Sequence, residues 1–234
     1  MRRWRGPVRS RRQKSRAADR RRRAANGSGR PVWRPSRPVT ESVGIVTTAE
    51  ASGYNPLMKL IILDRDGVIN EDSDHYIKSP DEWKPIPGSL DAIAALNRAG
   101  FRVVVATNQS GVGRGLFDMA MLNAIHARMH KAVVAAGGRI DAVFYCPHAA
   151  DSHCACRKPQ AGMLLEIAER FDVSLTGVPA IGDSLRDLQA ALAVGAQPIL
   201  VRSGKGERTL SAGGLPEGVV VYDDLAQAVG VLTG

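Results

Sequence analysis

Short apolar runs alternate with stretches of helical periodicity from residue 58 to the end of the chain, and that alternation restricts the protein to an α/β architecture. The first run, Leu60-Ile61-Ile62-Leu63, reads as a buried strand and leads into Asp64-Arg65-Asp66-Gly67-Val68-Ile69-Asn70. Side chains of an extended segment alternate faces, so Asp64 and Asp66 project to the same side. Two carboxylates that close repel each other unless a cation lies between them, and a divalent metal is the usual one. A lone D-x-D at a turn is common. Its meaning depends on what the rest of the chain supplies.

Residues 71–88 are polar and turn-rich, punctuated by Pro80, Pro85, Pro87 and Gly88. Ser89 can cap a helix that carries Leu90, Ile93, Ala94 and Leu96 and ends at Gly100. A second buried strand over 101–106 runs into Thr107-Asn108-Gln109-Ser110-Gly111-Val112-Gly113-Arg114-Gly115, and a longer helix covers about 118–136. Further strands are expected at 140–145, 178–181, 198–201 and 219–221, with helices over 161–171, from Ser184 to Val194, and near 224–232. Right-handed crossovers make this one doubly wound, Rossmann-like, mostly parallel sheet, with no room for a large cap or a second domain.

In a parallel sheet the carboxyl ends of the strands share one edge. Asp64 and Asp66 follow the first strand, Thr107 and Asn108 the second, and Asp183 a later one, while Lys158 precedes the helix before that later strand. These groups can converge. Three carboxylates, a Lys and a small hydroxyl suit Mg²⁺ and a phosphoryl group, because hard cations take oxygen ligands and Lys and Thr hold phosphate oxygens.

A second constellation is Cys146-Pro147-His148 followed by Cys154-Ala155-Cys156. Three thiolates and an imidazole at this spacing suit a tetrahedral, structural Zn²⁺ with no open position. It would pin a long loop and orient Arg157 and Lys158 beyond it. His153 is a rival ligand, but beside Cys154 it would crowd the site. His126 and His130 lie four apart on a helix with no third ligand nearby, so they read as a solvated helix face.

The formal charge of +9 is uneven: residues 1–57 hold 15 Lys/Arg and 3 Asp/Glu, leaving 58–234 slightly acidic. The first 57 residues are expected to be disordered. They could be a nucleic-acid-binding arm, an organellar leader, or sequence upstream of a true start at Met58, and the last is favoured because the folded pattern begins at once after it. No apolar run approaches the roughly 18 residues of a membrane span, and no h-region follows the Arg-rich start. Three cysteines suit a reducing compartment, and the scarce aromatics offer no base-stacking platform. The expectation is a cytoplasmic monomer that acts on a small molecule, with neither membrane nor nucleic acid as partner.

The D-x-D-G turn, Thr107, Lys158 and Gly182-Asp183, in this order, resemble the four motifs of the haloacid dehalogenase superfamily of phosphohydrolases over 58–232. The resemblance implies that Asp64 is the nucleophile and Asp66 the acid and base. It further implies that Asp64, the Asp66 carbonyl and Asp183 hold Mg²⁺, and that Thr107 and Lys158 stabilise the phosphoryl oxygens. Within the superfamily the chain most resembles the D-glycero-D-manno-heptose 1,7-bisphosphate 7-phosphatases of lipopolysaccharide-core precursor synthesis. The supporting residues are Asp64–Asn70, Asp74-His75-Tyr76, Thr107–Gly111, Arg114-Gly115 and Cys146-Pro147-His148. By that resemblance Asp74, His75, Tyr76, Asn108, Gln109, Ser110, Arg114, Arg157 and Ser184 contact substrate. Many relatives carry Lys where this chain has Ser184; Arg114, Arg186 and Lys205 are candidates to replace that contact. Histidinol-phosphate phosphatase is the alternative, sharing the Asp pair, the cysteine spacing and Arg157-Lys158-Pro159. Arg114 tilts the reading toward a substrate with a second phosphate. A degenerate binding module would have lost Asp64 or Asp66, and a nucleic-acid 3′-phosphatase is a weaker third reading.

Overall fold

β1 (Lys59–Leu63) begins where the apolar pattern does, in a computed structural model that describes residues 58–234. The expectations for residues 1–57, disorder and a start at Met58 among them, lie outside the described residues. The chain continues through α1 (Ser89–Arg98), β2 (Phe101–Asn108), α2 (Ser110–Gly113), α3 (Met119–Ala135) and β3 (Ala142–Cys146). Then come α4 (Gly162–Phe171), β4 (Pro179–Gly182), α5 (Leu185–Ala193), β5 (Gln197–Val201), α6 (Gly206–Ala212), β6 (Val220–Tyr222) and α7 (Leu225–Thr233). Among the described residues all five strand pairings are parallel, and the order is β3-β2-β1-β4-β5-β6.

Alternation along β1 splits the interior into two layers. Ile61 and Leu63 face Ile93 and Leu96 of α1, Ile125, Met129 and Val133 of α3, and Leu225 and Val229 of α7. Leu60 and Ile62 face the other way, onto Met163, Leu164 and Ile167 of α4 and Ala190 and Ala191 of α5. Each of the Ile, Leu, Met and Val side chains among these contributes about 1.5–3 kcal/mol on burial, and slipping β1 by one residue would exchange both layers at once. The expected doubly wound sheet is the observed one.

Strand order reverses between β1 and β4, and this is where open α/β sheets bind ligands. Asp64 leaves β1 and Asp183 leaves β4 on either side of that point. The segment from 64 to 88 contains one 3-10 turn (Pro80–Glu82) and no other helix or ladder strand, so no cap domain covers the crevice from there. Two helices were not expected. α2 is a single turn, and α6 has Gly-rich flanks and little apolar periodicity to betray it. No helix among the described residues is long and apolar enough to cross a membrane.

Candidate active site

A cavity of about 310 Å³ opens at the carboxyl ends of β1, β2 and β4. It is lined by Asp64, Asp66, Thr107, Asn108, Gln109, Ser110, Arg114, Arg157, Asp183 and Ser184, together with Asp74 and Tyr76 from the 71–78 loop. His75 is not part of that lining; it is exposed, and its carbonyl accepts from Lys78 Nζ at 2.9 Å. The expectation that His75 contacts substrate is therefore not supported by its position.

Asp64 sits at the tip of β1, where its Oδ1 accepts from the Arg65 amide at 2.7 Å and meets Lys158 Nζ at 3.1 Å. Lys158 is 4 % exposed and also binds Asp187 Oδ1 at 2.5 Å and the Ala106 carbonyl at 2.7 Å. Burial opposes its charge, but Asp187 and Asp64 outweigh burial and raise its pKa. Asn108 fixes the backbone there: its amide donates to the Lys158 carbonyl at 3.0 Å and accepts from the Lys158 N–H at 3.1 Å. Both polar ends of Asn108 are thus spent on Lys158.

Asp187 was not singled out from the sequence. It lies on the first turn of α5, where its Oδ2 accepts from the Ser184 hydroxyl at 2.5 Å and amide at 3.0 Å. Ser184 therefore acts on the start of α5 as well as lining the cavity. An acidic residue three positions after a Ser that opens a helix is the signal that could have found this pair.

Oxygens of Asp64, Asp183 and Asp187 all lie within 4.8 Å of one another. Burial, followed by the neighbouring carboxylates Asp187 and Asp66, pushes Asp64 up to about 7 despite Lys158. Burial and then Asp64 push Asp183 up to about 8. Such a cluster of crowded oxygens fits a hard divalent cation. The carboxylate of Asp66 is not part of it. Asp183 is held from behind by a loop the sequence did not mark: Lys205 N–H donates to its Oδ2 at 2.8 Å, and the Thr209 hydroxyl to its carbonyl at 2.9 Å. A Cβ on Gly67 (φ +84°) or Gly204 (φ +60°) would collide with the Asp183 carboxylate, so both turns need glycine twice over.

Asp66 has the opposite surroundings. Arg65 donates to its Oδ1 from Nε (3.0 Å) and Nη2 (2.8 Å), and to Oδ2 from Nη2 (2.9 Å). Asn70 adds a donor at 2.9 Å and Gln109 one at 3.0 Å. Burial alone would raise its pKa, but the Arg65 charge and these donors hold it below the usual carboxylate value. Asn70 is anchored in turn by Trp83 Nε1 at 2.9 Å, and Gln109 also donates to Thr107 Oγ1 at 2.9 Å. Gln109 is buried and its amide is committed to neighbours within the protein.

At the rim, Lys205 Nζ pairs with Asp72, and Arg208 pairs with Asp74 at 3.2 Å. Arg208 holds the Asp74 carboxyl below its usual value by hydrogen bond and charge. Among the described residues no carboxylate pairs with Arg114, Arg157 or Arg186, all of which line the cavity. That separates them from Lys205 as cations available to an incoming anion.

Beside this cavity, Cys146, His148, Cys154 and Cys156 present donor atoms within 4.8 Å of one another. Four of the six edges run from 3.3 to 3.6 Å (His148 Nδ1 to Cys156 Sγ the shortest, to Cys146 Sγ the longest). A tetrahedral centre with metal–sulfur bonds of about 2.3 Å needs edges near 3.8 Å, so the set fits a bound metal. Burial first, then its two neighbouring thiols, push Cys156 up to about 12, the crowding a cation would relieve. His153, exposed and left-handed at φ 49°, stands outside the set. The loop is tied to the cavity through Gln109 N to the Cys146 carbonyl (2.8 Å) and Gly113 N to the Pro147 carbonyl (2.8 Å).

His126 corrects the reading of a solvated helix face. It is buried on α3, 3.4 Å from Arg65 Nη1 and stacked at a tilt on Tyr145.

Comparison with known proteins fits this geometry. A HAD-hydrolase-like family model matches residues 155–228, and a polynucleotide kinase 3 phosphatase model matches 59–181. A D-glycero-β-D-manno-heptose-1,7-bisphosphate 7-phosphatase of Bordetella bronchiseptica is 63% identical over 169 residues, 72% of this chain and 94% of that protein. The Pseudomonas putida protein of the same name is 59% identical over 72% of this chain and 96% of its own length. A crystal structure of D,D-heptose 1,7-bisphosphate phosphatase from B. bronchiseptica, complexed with magnesium and phosphate, superposes with a TM-score of 0.74. It shares 62% identity and covers 75% of this chain and 98% of that one.

Proposed function

The chain belongs to the D-glycero-β-D-manno-heptose-1,7-bisphosphate 7-phosphatase family within the haloacid dehalogenase superfamily, and from that premise we propose that it removes the C7 phosphate of the heptose 1,7-bisphosphate, as the β anomer, by phosphomonoester hydrolysis. One feature of the cavity carries this reading. Asp64, Lys158, Thr107 and Asp183 converge at one edge of the sheet, and three arginines with no carboxylate partner among the described residues stand at the rim. A substrate with two phosphates uses both ends of such a cavity. Histidinol phosphate, with its imidazole and ammonium, has no use for the second cationic end.

Asp64 attacks phosphorus, its carboxylate oriented by Lys158 and the Arg65 amide, and an aspartyl-phosphate forms as the sugar oxygen leaves. Thr107 holds a phosphoryl oxygen, and Lys158, whose three donors serve Asp64, Asp187 and the Ala106 carbonyl in the free protein, turns the one on Asp64 to the phosphoryl group as Asp64 attacks. Asp66 delivers the proton to the leaving oxygen and then takes one from the water that hydrolyses the aspartyl-phosphate. Its donors keep it ionised in the free protein, the form the second half needs. A phosphoryl dianion arriving beside it raises its pKa, as any like charge does, which lets it carry the proton of the first half. Mg²⁺ held by Asp64, Asp183 and the Asp66 carbonyl would neutralise charge between the carboxylate and the phosphate. Asp187 serves Lys158, with both of its oxygens already engaged.

Zn²⁺ is the metal assigned to Cys146, His148, Cys154 and Cys156, in a closed structural role. Tyr76, Ser110, Arg114, Arg157 and Arg186 are the residues assigned to the rest of the substrate. The protein is read as a cytoplasmic monomer acting in the supply of lipopolysaccharide-core heptose. The test is a comparison of kcat/KM for heptose 1,7-bisphosphate and histidinol phosphate. A preference of at least about 100-fold for the bisphosphate supports the assignment; equal or better use of histidinol phosphate overturns it.

A further inference from the structure

Arg65 follows the proposed nucleophile and points away from the cavity into the protein, where it has no solvent exposure at all. A buried guanidinium is tolerable only when its donors are used. Nε and Nη2 serve Asp66 and Gln109, the latter at 3.1 Å, which leaves Nη1. Among the described residues the partner of Nη1 is Nε2 of His126, at 3.4 Å. A guanidinium cannot accept a hydrogen bond, so the imidazole must accept, neutral and with its proton on Nδ1. Its place is fixed by α3, where Leu122, Ile125 and Met129 are buried around it, and by the Tyr145 ring, 5.9 Å away at 56°.

We propose that His126 is a positioning residue for the proton-transfer step: it holds Arg65, and Arg65 aims the Asp66 carboxylate at the leaving oxygen. The inference rests on the proposed function. It adds a residue sixty positions from the D-x-D turn that never reaches the cavity. Arg65 grips both oxygens of Asp66, so a guanidinium that swings when Nη1 loses its acceptor turns the carboxylate with it. Burial and the Arg65 charge hold the imidazole down at about 4, so it stays an acceptor at neutral pH.

The test uses two substrates. Loss of aim at the leaving oxygen matters for a sugar phosphate, whose alkoxide needs a proton. It matters little for an aryl phosphate of an acidic phenol, which leaves without one. His126→Leu should lower kcat/KM for the sugar bisphosphate roughly 10- to 100-fold, part of the 10²–10⁴ that such proton transfer contributes. The same variant should lower the aryl phosphate value less than about threefold, and His126→Gln, whose Oε1 can accept from Nη1, should restore most of the sugar-phosphate activity. Thermal unfolding establishes that the variants are folded. Should the Leu variant not fold, the same ratio is read on His126→Met, which fills the space with a much weaker acceptor. Equal losses on both substrates, or a Gln variant no better than the apolar one, would overturn the proposal. Wild-type turnover of the bisphosphate is measured alongside; its absence would count against the proposed function, separately from the ratio between variants.

Discussion

Asp64 and Asp66 leave the same strand one residue apart, and their surroundings pull them in opposite directions. Around Asp64 the neighbours are other buried carboxylates, Asp183 and Asp187, with Lys158 as the one cation in contact among the described residues. Around Asp66 they are donors: Arg65, Asn70 and Gln109, with His126 behind. The first setting raises a pKa and invites a metal; the second lowers one and fixes a geometry. Strand alternation places the pair on one side, but it does not distinguish them. Arg65 and Asn70 do part of that for Asp66, and segments far along the chain do the rest, 158–209 for Asp64 and 109–126 for Asp66.

The largest effect is expected at Asp64. Asp64→Asn should cut kcat by about 10⁴-fold or more while thermal unfolding shows an intact fold. Turnover near wild type would end its assignment as nucleophile. Asp66→Asn should cost about 10²–10⁴-fold on sugar phosphates and much less on aryl phosphates with acidic leaving groups, as steady-state kcat/KM would report. If the two variants were indistinguishable on both substrates, the division of labour between the carboxylates would fail.

Acidity separates the two sides next. With pKa values raised to about 7 and about 8, Asp64 and Asp183 carry protons that a cation must displace, so Mg²⁺ affinity should fall roughly tenfold per displaced proton for each pH unit below 8. Calorimetric titration between pH 8 and 6 checks this; a flat affinity contradicts it. For the metal-free protein these raised values favour the folded state at low pH and disfavour it as pH rises toward 8, because the folded state binds more protons than the unfolded one there. His126 has the opposite sign. Held at about 4 against 6.5, it binds fewer protons folded than unfolded, so its contribution is present above about 6.5 and is lost as pH falls toward 4. His126→Gln should flatten that part of the stability profile by about 3 kcal/mol, measured by denaturant unfolding at several pH values. An unchanged slope would mean the imidazole is not held neutral.

The same contrast marks what could be read from the sequence. The sheet was legible because each β-strand is an apolar run closed by a polar turn, and Asp64, Asp66, Thr107 and Asp183 lie at the ends of those runs. α6 was not, since Lys205-Gly206-Glu207-Arg208-Thr209 carries no apolar stripe and is flanked by glycines. On the Asp64 side the sequence yielded Lys158 and Asp183 from their positions. It missed Asp187, which looks like any acidic residue in a first helical turn, and the Gly204-Lys205 turn that holds Asp183. On the Asp66 side it missed almost everything. A fully buried Arg65 and a buried His126 run against hydropathy, and their pairing spans sixty-one positions. Asn108 and Gln109 line the cavity, and their amides also bind Lys158, Asp66 and Thr107, which the sequence does not show. Polar groups in such networks satisfy one another, and nothing in local sequence records the partner.

The difference between the two carboxylates is tested most directly by trapping the intermediate. The Asp66→Asn variant is mixed with an aryl phosphate of an acidic phenol, quenched in acid within milliseconds to seconds, and digested for mass spectrometry. Phosphorylation of the peptide containing Asp64, appearing at close to the wild-type rate and then persisting because no base activates water, is the predicted result. No phosphoryl group on Asp64, or one that turns over as fast as in the wild type, would contradict it.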